Sequence, residues 1–182
     1  RLVILMIGRL SKEKRQDVLM KAAGLSRYAD RIQLIFAGKG PLQEHYRKLG
    51  MQLPHQPIFT FCSQEELIHI ISYSDLYVHS ADAEIEAIAC IEAFACGLVP
   101  VIANSAQSAT PQFALDERSL FEAGNAQALA EKIDYWFDHP EERKAQELRY
   151  AEYGKEFNHA HCVEQMVRMF EEEVNDPFYG SR

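Results

Sequence analysis

Two acids, Glu84 and Glu92, enclose seven residues in the segment E-IEAIACI-E, and the second interrupts a run that is otherwise apolar from Ala87 to Cys96. A carboxylate buried there without a partner would cost several kcal/mol or take up a proton. It must find a partner inside the protein or face a cleft and hold a polar ligand, and the second reading is preferred here. Ionised carboxylates accept hydrogen bonds from vicinal diols, so sugar hydroxyls suit both positions. Cations are available in Gly8-Arg9-Leu10-Ser11-Lys12-Glu13-Lys14. Gly8 lets backbone approach closely, while Arg9 and Lys14 are separated positive charges suited to a diphosphate. The same loop also fits a solvated basic turn. Gly38-Lys39-Gly40-Pro41 lacks the spacing of a dinucleotide fingerprint or a P-loop and reads as a tight turn before a helix.

Other candidates carry less. Glu84 could be only a capping acid, and Glu86 reads as exposed. Asp82-Ala83-Glu84 faintly suggests an acidic metal-binding triplet. His159, His161 and Cys162 lie close together but read as a first helical turn capped by Asn158. No metal is expected. The four cysteines, Cys62, Cys90, Cys96 and Cys162, show no CxxC spacing and read as buried thiols of a reducing cytosol.

The elements that must position these residues alternate. Continuous apolar runs at Leu2–Ile7, Ile32–Ala37, Ile58–Phe61, Leu76–Val78 and Pro100–Ala103 read as parallel strands covered on both faces. Helical spacing appears at Gln16–Ser26, Leu42–Leu49, Glu65–Ser72 and Ala87–Cys96. Pro41 suits a first helical position, and Gly97 a helix stop. Helices follow at Ala126–Asp138, Pro140–Tyr153 and about His159 to Glu173. Repeated strand–helix units predict an α/β fold, a doubly wound parallel sheet with extra C-terminal helices. Ligands of such sheets bind beyond the carboxyl ends of the strands, where each of these loops lies. A helix beginning near Ile85 would aim free N–H groups and its positive end at a phosphate there.

Composition sets the outer bounds. The 182 residues fit one compact domain, 47% hydrophobic content is globular, and a net charge of −8 argues against nucleic-acid binding. No apolar run approaches the roughly 20 residues of a membrane span. A buried strand at the first residue, with no leader, reads as a domain cut from a longer protein. Residues 1–175 are taken as the domain and 176–182 as a frayed tail.

Taken in order, the GR-L-SKEK loop (Gly8 to Lys14), the AGKGP turn (Ala37 to Pro41), the spaced acids and EAFACGLVPVIA (Glu92 to Ala103) resemble the retaining glycosyltransferases of family 4. Specifically, they resemble the Rossmann-like, nucleotide-binding C-terminal half of the GT-B fold. The likeness runs from Leu2 to about Phe170. The stretch from Glu86 to Glu122 looks closer to the bacterial branch that α-glucosylates cholesterol and its relatives that glucosylate diacylglycerol.

The resemblance implies roles. Gly8, Arg9 and Lys14 would meet the donor diphosphate, with Gly38 beside them, and Glu92 would hold the ribose hydroxyls. Glu84 would contact the donor sugar near its reacting face, so that Glu84, Arg9 and Lys14 form the catalytic set. The amides of Glu86, Ala87 and Ile88 would lie near sugar or phosphate, and backbone at Phe61 and Cys62 would border the base. It implies a UDP-glucose donor without metal, a membrane lipid acceptor such as a sterol or diacylglycerol, and an N-terminal acceptor domain absent from this chain. Without that partner domain the chain is expected to bind donor but not turn over. A cytoplasmic location follows, with the full-length enzyme peripheral at the inner face of the membrane. The alternatives are a non-catalytic nucleotide-binding or assembly module, or another GT-B enzyme such as a nucleotide-sugar epimerase. Where most members follow the first acid with a small residue, an aromatic and glycine, this chain has Ile85, Glu86 and Ala87. Cys62 stands where glycine is common and His79 where proline is common.

Overall fold

A computed structural model describes residues 1–85 and 87–157. Glu86, the helix expected near His159–Glu173 with its His159, His161 and Cys162, and the tail 176–182 lie outside the described residues.

Six parallel strands form the main sheet: β1 (Leu2–Ile7), β2 (Ile32–Ala37), β3 (Ile58–Thr60), β4 (Leu76–His79), β6 (Pro100–Asn104) and β8 (Leu120–Glu122). Two-residue strands β5 (Ala83–Glu84) and β7 (Gln107–Ser108) make a separate ribbon. Six α-helices intervene: α1 (Gln16–Leu25), α2 (Gln43–Gly50), α3 (Gln64–Ser72), α4 (Ile88–Ala95), α5 (Ala126–Asp138) and α6 (Pro140–Gly154). The order across the sheet is β3-β2-β1-β4-β6-β8. The chain therefore winds outward from β1 to β3, returns to the other side of β1 with β4, and winds outward again. This is the doubly wound α/β sheet the apolar runs predict. Its topological switch point lies between β1 and β4, where Ile4 and Leu5 pair with Leu76 and Tyr77. The loops after these two strands flank the crevice where such sheets bind ligands.

The core explains the continuous apolar strands. Ile4, Leu5, Leu34, Phe36, Tyr77, Val78, Val101 and Ile102 are almost wholly buried, because helices cover the sheet. α1 packs on α5 and α2, and α4 on α6. Phe94 of α4 sits in an aromatic cluster, with ring centroids 5.5 Å from Tyr153 and 5.8 Å from Tyr150 of α6. A Cβ at Gly154 would fall 2.6 Å from Ala95 Cβ, so only glycine lets the two helices meet this closely.

Several boundaries differ from expectation. Pro41 lies in the turn before α2, whose N-cap is Leu42. The α3 terminus is a capping box in which Ser63 and Glu66 bond reciprocally. Gly97 stops α4 as expected, with φ +88° and its N–H on Phe94 O. β8 and the β5–β7 ribbon were not anticipated, being too short to show periodicity. Among the described cysteines only Cys90 is buried; Cys62 is partly exposed and Cys96 exposed. Cys96 caps the end of α4 and thus misses the buried stripe.

Candidate functional site

The loop after β1 is built by close backbone contacts. Gly8 N–H donates to Ala37 O (3.0 Å), Leu10 N–H to Lys39 O (3.1 Å), and Leu42 N–H to Leu10 O (3.0 Å). A Cβ at Gly38 would lie 2.0 Å from Gly8 O, and one at Gly40 would lie 2.2 Å from Leu10 O. The glycines of the second loop are thus required by the first loop, with no ligand needed to explain them. Gly8 and Gly38 both have positive φ, +147° and +156°.

A 3-10 turn, Lys12–Lys14, then leads through Arg15 at φ +54° into α1. The buried Ser80 hydroxyl reaches the carbonyls of Lys14 (3.1 Å) and Arg15 (2.9 Å), and Asp82 N–H donates to Glu13 O (2.9 Å). Arg15 bridges Asp82 (2.7 Å) and Asp17 (3.3 Å). These bonds tie the loop after β1 to the loop after β4.

Their result is a direct contact between Lys14 and Glu84, 70 residues apart in the chain. Burial opposes ionisation of Glu84, but the hydrogen bond and charge of Lys14 outweigh it and hold the carboxyl below its ordinary range. Glu84 is set by the ribbon: it pairs with Ser108, and its carbonyl accepts from Ala109 N–H (2.9 Å). Its other carboxylate oxygen accepts from Ile85 N–H (3.1 Å). Glu84 is therefore not a helix cap. α4 starts at Ile88, later than expected, because residue 87 turns left-handed first.

That left-handed residue is Ala87, with φ +49°. An alanine held in this left-handed conformation carries a strain of about 1–2 kcal/mol. The turn aims the first N–H groups of α4, Ile88 included, out of the helix. Ile85 and Ile88 are exposed.

Glu92 lies one turn further along α4, partly buried. Gln64 Nε2 donates to its Oε1 at 2.9 Å, and no partner for Oε2 occurs among the described residues. Burial first, and then the charges of Cys90, Glu84 and Glu92, push the Tyr77 phenol well up. Arg9 is exposed and without an ion pair among the described residues. Phe61 is exposed with Lys39 Nζ 4.1 Å from its ring centroid, a cation–π contact, and Cys62 follows it.

The structure places Gly8, Arg9 and Lys14 after β1, Gly38 after β2, Phe61 and Cys62 after β3, Glu84 in β5, Ala87 before α4, and Ile88 and Glu92 within α4; contacts join Lys14 to Glu84, Lys39 to Phe61 and Gln64 to Glu92. Lys14, expected to meet the donor diphosphate, is in this structure the ion-pair partner of Glu84. Sequence reasoning also missed His79, which was legible only as a histidine in place of proline. It is buried at the end of β4, its Nδ1 3.1 Å from Tyr77 Oη and its Nε2 3.8 Å from Glu84 Oε2. Burial, then Lys14, lowers its pKa to about 4, against the pull of Glu84. No group of three or more His, Cys, Asp or Glu able to hold a metal occurs among the described residues. None of the described helices is long and apolar enough to cross a membrane.

Comparison with known proteins matches residues 1–156 to the family described as glycosyl transferases group 1. The solved catalytic domain of cholesterol-alpha-glucosyltransferase from Helicobacter pylori is 47% identical, with a TM-score of 0.84 over 86% of this chain and 99% of its own. The C-terminal domain of a group 1 family protein, LpcC, from Francisella tularensis is 18% identical, with a TM-score of 0.69 over 83% of each chain. HepE from Anabaena, solved in complex with UDP-glucose, is 19% identical with a TM-score of 0.78. That likeness covers 94% of this chain but 49% of HepE. At these lower identities the likeness is one of fold, that of the Rossmann-like C-terminal domain of GT-B proteins. A search of curated proteins finds no match.

Proposed function

The chain belongs to the glycosyl transferases of group 1, and on that premise we propose that it is the donor-binding domain of a retaining hexosyltransferase. The donor is a nucleotide sugar, with UDP-glucose the preferred candidate, and the acceptor a membrane lipid hydroxyl such as that of a sterol or diacylglycerol. The observation that carries this reading is the convergence of Arg9, Lys14, Glu84 and the start of α4 at the switch point of the sheet. The 47% identical Helicobacter pylori domain supports the acceptor class, and HepE, solved with UDP-glucose, the donor class.

In this reading Arg9 and Lys14 offset charge on the diphosphate as the bond between sugar C1 and the phosphate oxygen breaks. They act in a preformed site, where little reorganisation is needed. The N–H groups at the start of α4, at Ala87 and Ile88, add oriented donors. The acceptor oxygen bonds to C1 on the face the nucleotide leaves, and its proton departs with the nucleotide or to solvent. Glu84 orients the sugar and Glu92 the ribose. Lys39 and Phe61 border the base with backbone at Cys62, and Gly8 and Gly38 keep the phosphate side open. No metal takes part. Acceptor contacts come from an N-terminal domain outside this chain, so the 182 residues bind donor without transferring it. The full-length enzyme works on the cytoplasmic face of the membrane.

The test compares the chain with the same chain joined to its N-terminal half, given labelled UDP-glucose and sterol or diacylglycerol vesicles. An α-linked glucolipid from the longer protein only, unaffected by EDTA, is expected. Absence of transfer by the longer protein despite UDP binding would favour a non-catalytic module, for which the Ile85-Glu86-Ala87 segment speaks.

A further inference from the structure

We propose that His79 is a positioning residue that receives the Glu84 carboxylate when Lys14 turns to the donor diphosphate. This rests on the donor-site reading above.

The argument begins with a buried atom. His79 Nε2 is enclosed in the protein without a hydrogen-bond partner, although buried polar groups are nearly always paired. Its geometry gives a reason. Tyr77 Oη lies 3.1 Å from Nδ1. When the phenol donates to Nδ1, the ring proton sits on Nε2, and that N–H faces Glu84 Oε2 at 3.8 Å. The opposite tautomer would turn a lone pair toward a carboxylate, so the acid favours this one. At 3.8 Å the pair falls short of a hydrogen bond, because Oε2 is held by Lys14 instead.

One oxygen therefore has two prospective partners and engages one. Lys14 has the reverse problem, being required both by the Glu84 carboxylate and by a bound diphosphate. A single ammonium does not serve both fully. When it swings to phosphate, Glu84 is left charged, with its side chain only 19% exposed, and the donor sugar excludes the remaining water. A shift of under about 1 Å brings Oε2 within hydrogen-bond reach of His79. The ring is held in place: it belongs to β4, lies tilted against Tyr77 with centroids 6.2 Å apart, and is almost wholly buried. The charged and titratable groups facing it are Tyr77 on its own strand, Lys14 from the loop after β1 and Glu84 from the ribbon. His79 thus supplies the second of two alternative seats for the sugar-orienting acid.

Two substitutions separate the donor function from space-filling. His79→Asn keeps a polar atom near Nδ1 but has none at Nε2, whereas His79→Gln places an amide N–H near Nε2. Calorimetric titration of the chain with UDP and with UDP-glucose reads the difference. With UDP alone, water still reaches Glu84, so both variants are expected within about threefold of wild type. With UDP-glucose, His79→Asn is expected to bind roughly 10- to 100-fold more weakly, while His79→Gln stays within about threefold. The proposal is overturned if His79→Asn retains UDP-glucose affinity, if it loses both ligands equally, or if His79→Gln is as weak as His79→Asn. Failure of the wild type to bind either ligand would instead remove the donor-site reading, and this inference with it.

Discussion

Removing the Glu92 carboxylate gives the sharpest measure of donor recognition. One of its oxygens accepts from Gln64 Nε2 at 2.9 Å, leaving the other without a partner among the described residues. If it accepts from a vicinal diol, each hydrogen bond to the charged group contributes about 1.5–3 kcal/mol. Glu92 is partly exposed, so the low end applies. Glu92→Gln keeps one acceptor oxygen and is expected to lose about 1.5 kcal/mol, roughly tenfold in Kd; Glu92→Ala loses both bonds, about 3 kcal/mol or roughly 100-fold. The assay is calorimetry with UDP and with 2′-deoxy-UDP. Wild type should favour UDP over the deoxy ligand, and in Glu92→Ala that preference should shrink toward unity, because the missing hydroxyl then costs nothing further. Gln64→Ala, which removes only the holder of the carboxylate, should weaken UDP by a few-fold. Equal UDP affinity of wild type and Glu92→Ala, or an unchanged preference for the 2′-hydroxyl, would refute the assignment of Glu92 to the ribose.

Three further outcomes follow from the backbone and the buried histidine. Ala87→Gly, at φ +49°, should stabilise the fold by about 1 kcal/mol, since only glycine enters the left-handed region without steric cost; a fall in melting temperature would contradict the strain. Gly38→Ala would drive a Cβ to 2.0 Å from Gly8 O and should cost about 3 kcal/mol or more; thermal unfolding within about 2 °C of wild type would show the two loops to be freely separable. His79, neutral in the fold with its pKa lowered from 6.5 to about 4, binds its proton more readily when unfolded. Stability should therefore fall as pH drops from 6.5 toward 4, by up to about 3 kcal/mol. Urea unfolding across that window should show a shallower slope for His79→Phe, and an identical slope would exclude His79 as the cause.

Much of this architecture was readable from the chain because its causes are local. Strands buried on both faces must be continuously apolar, so β1, β2, β4 and β6 announced themselves, as did Gly97, the left-handed stop of α4. The doubly wound class followed from strand–helix alternation, and the class determines that loops after strands gather at one end. An acid inside an apolar helix singled out Glu92, which the structure leaves partly exposed and bonded to Gln64. What the chain could not disclose are facts about separation in space. That Lys14 and Glu84 neutralise each other depends on β1 and β4 being neighbours, a pairing of segments some 70 residues apart that no periodicity encodes. The glycines at 38 and 40 read as a tight turn, and only the fold shows that the carbonyls of Gly8 and Leu10 require them. Ala87 concealed a left-handed turn, because sequence records side chains and the turn is a property of backbone held by its surroundings. His79 was one histidine among seven until burial removed every partner from its Nε2 and left it facing a carboxylate.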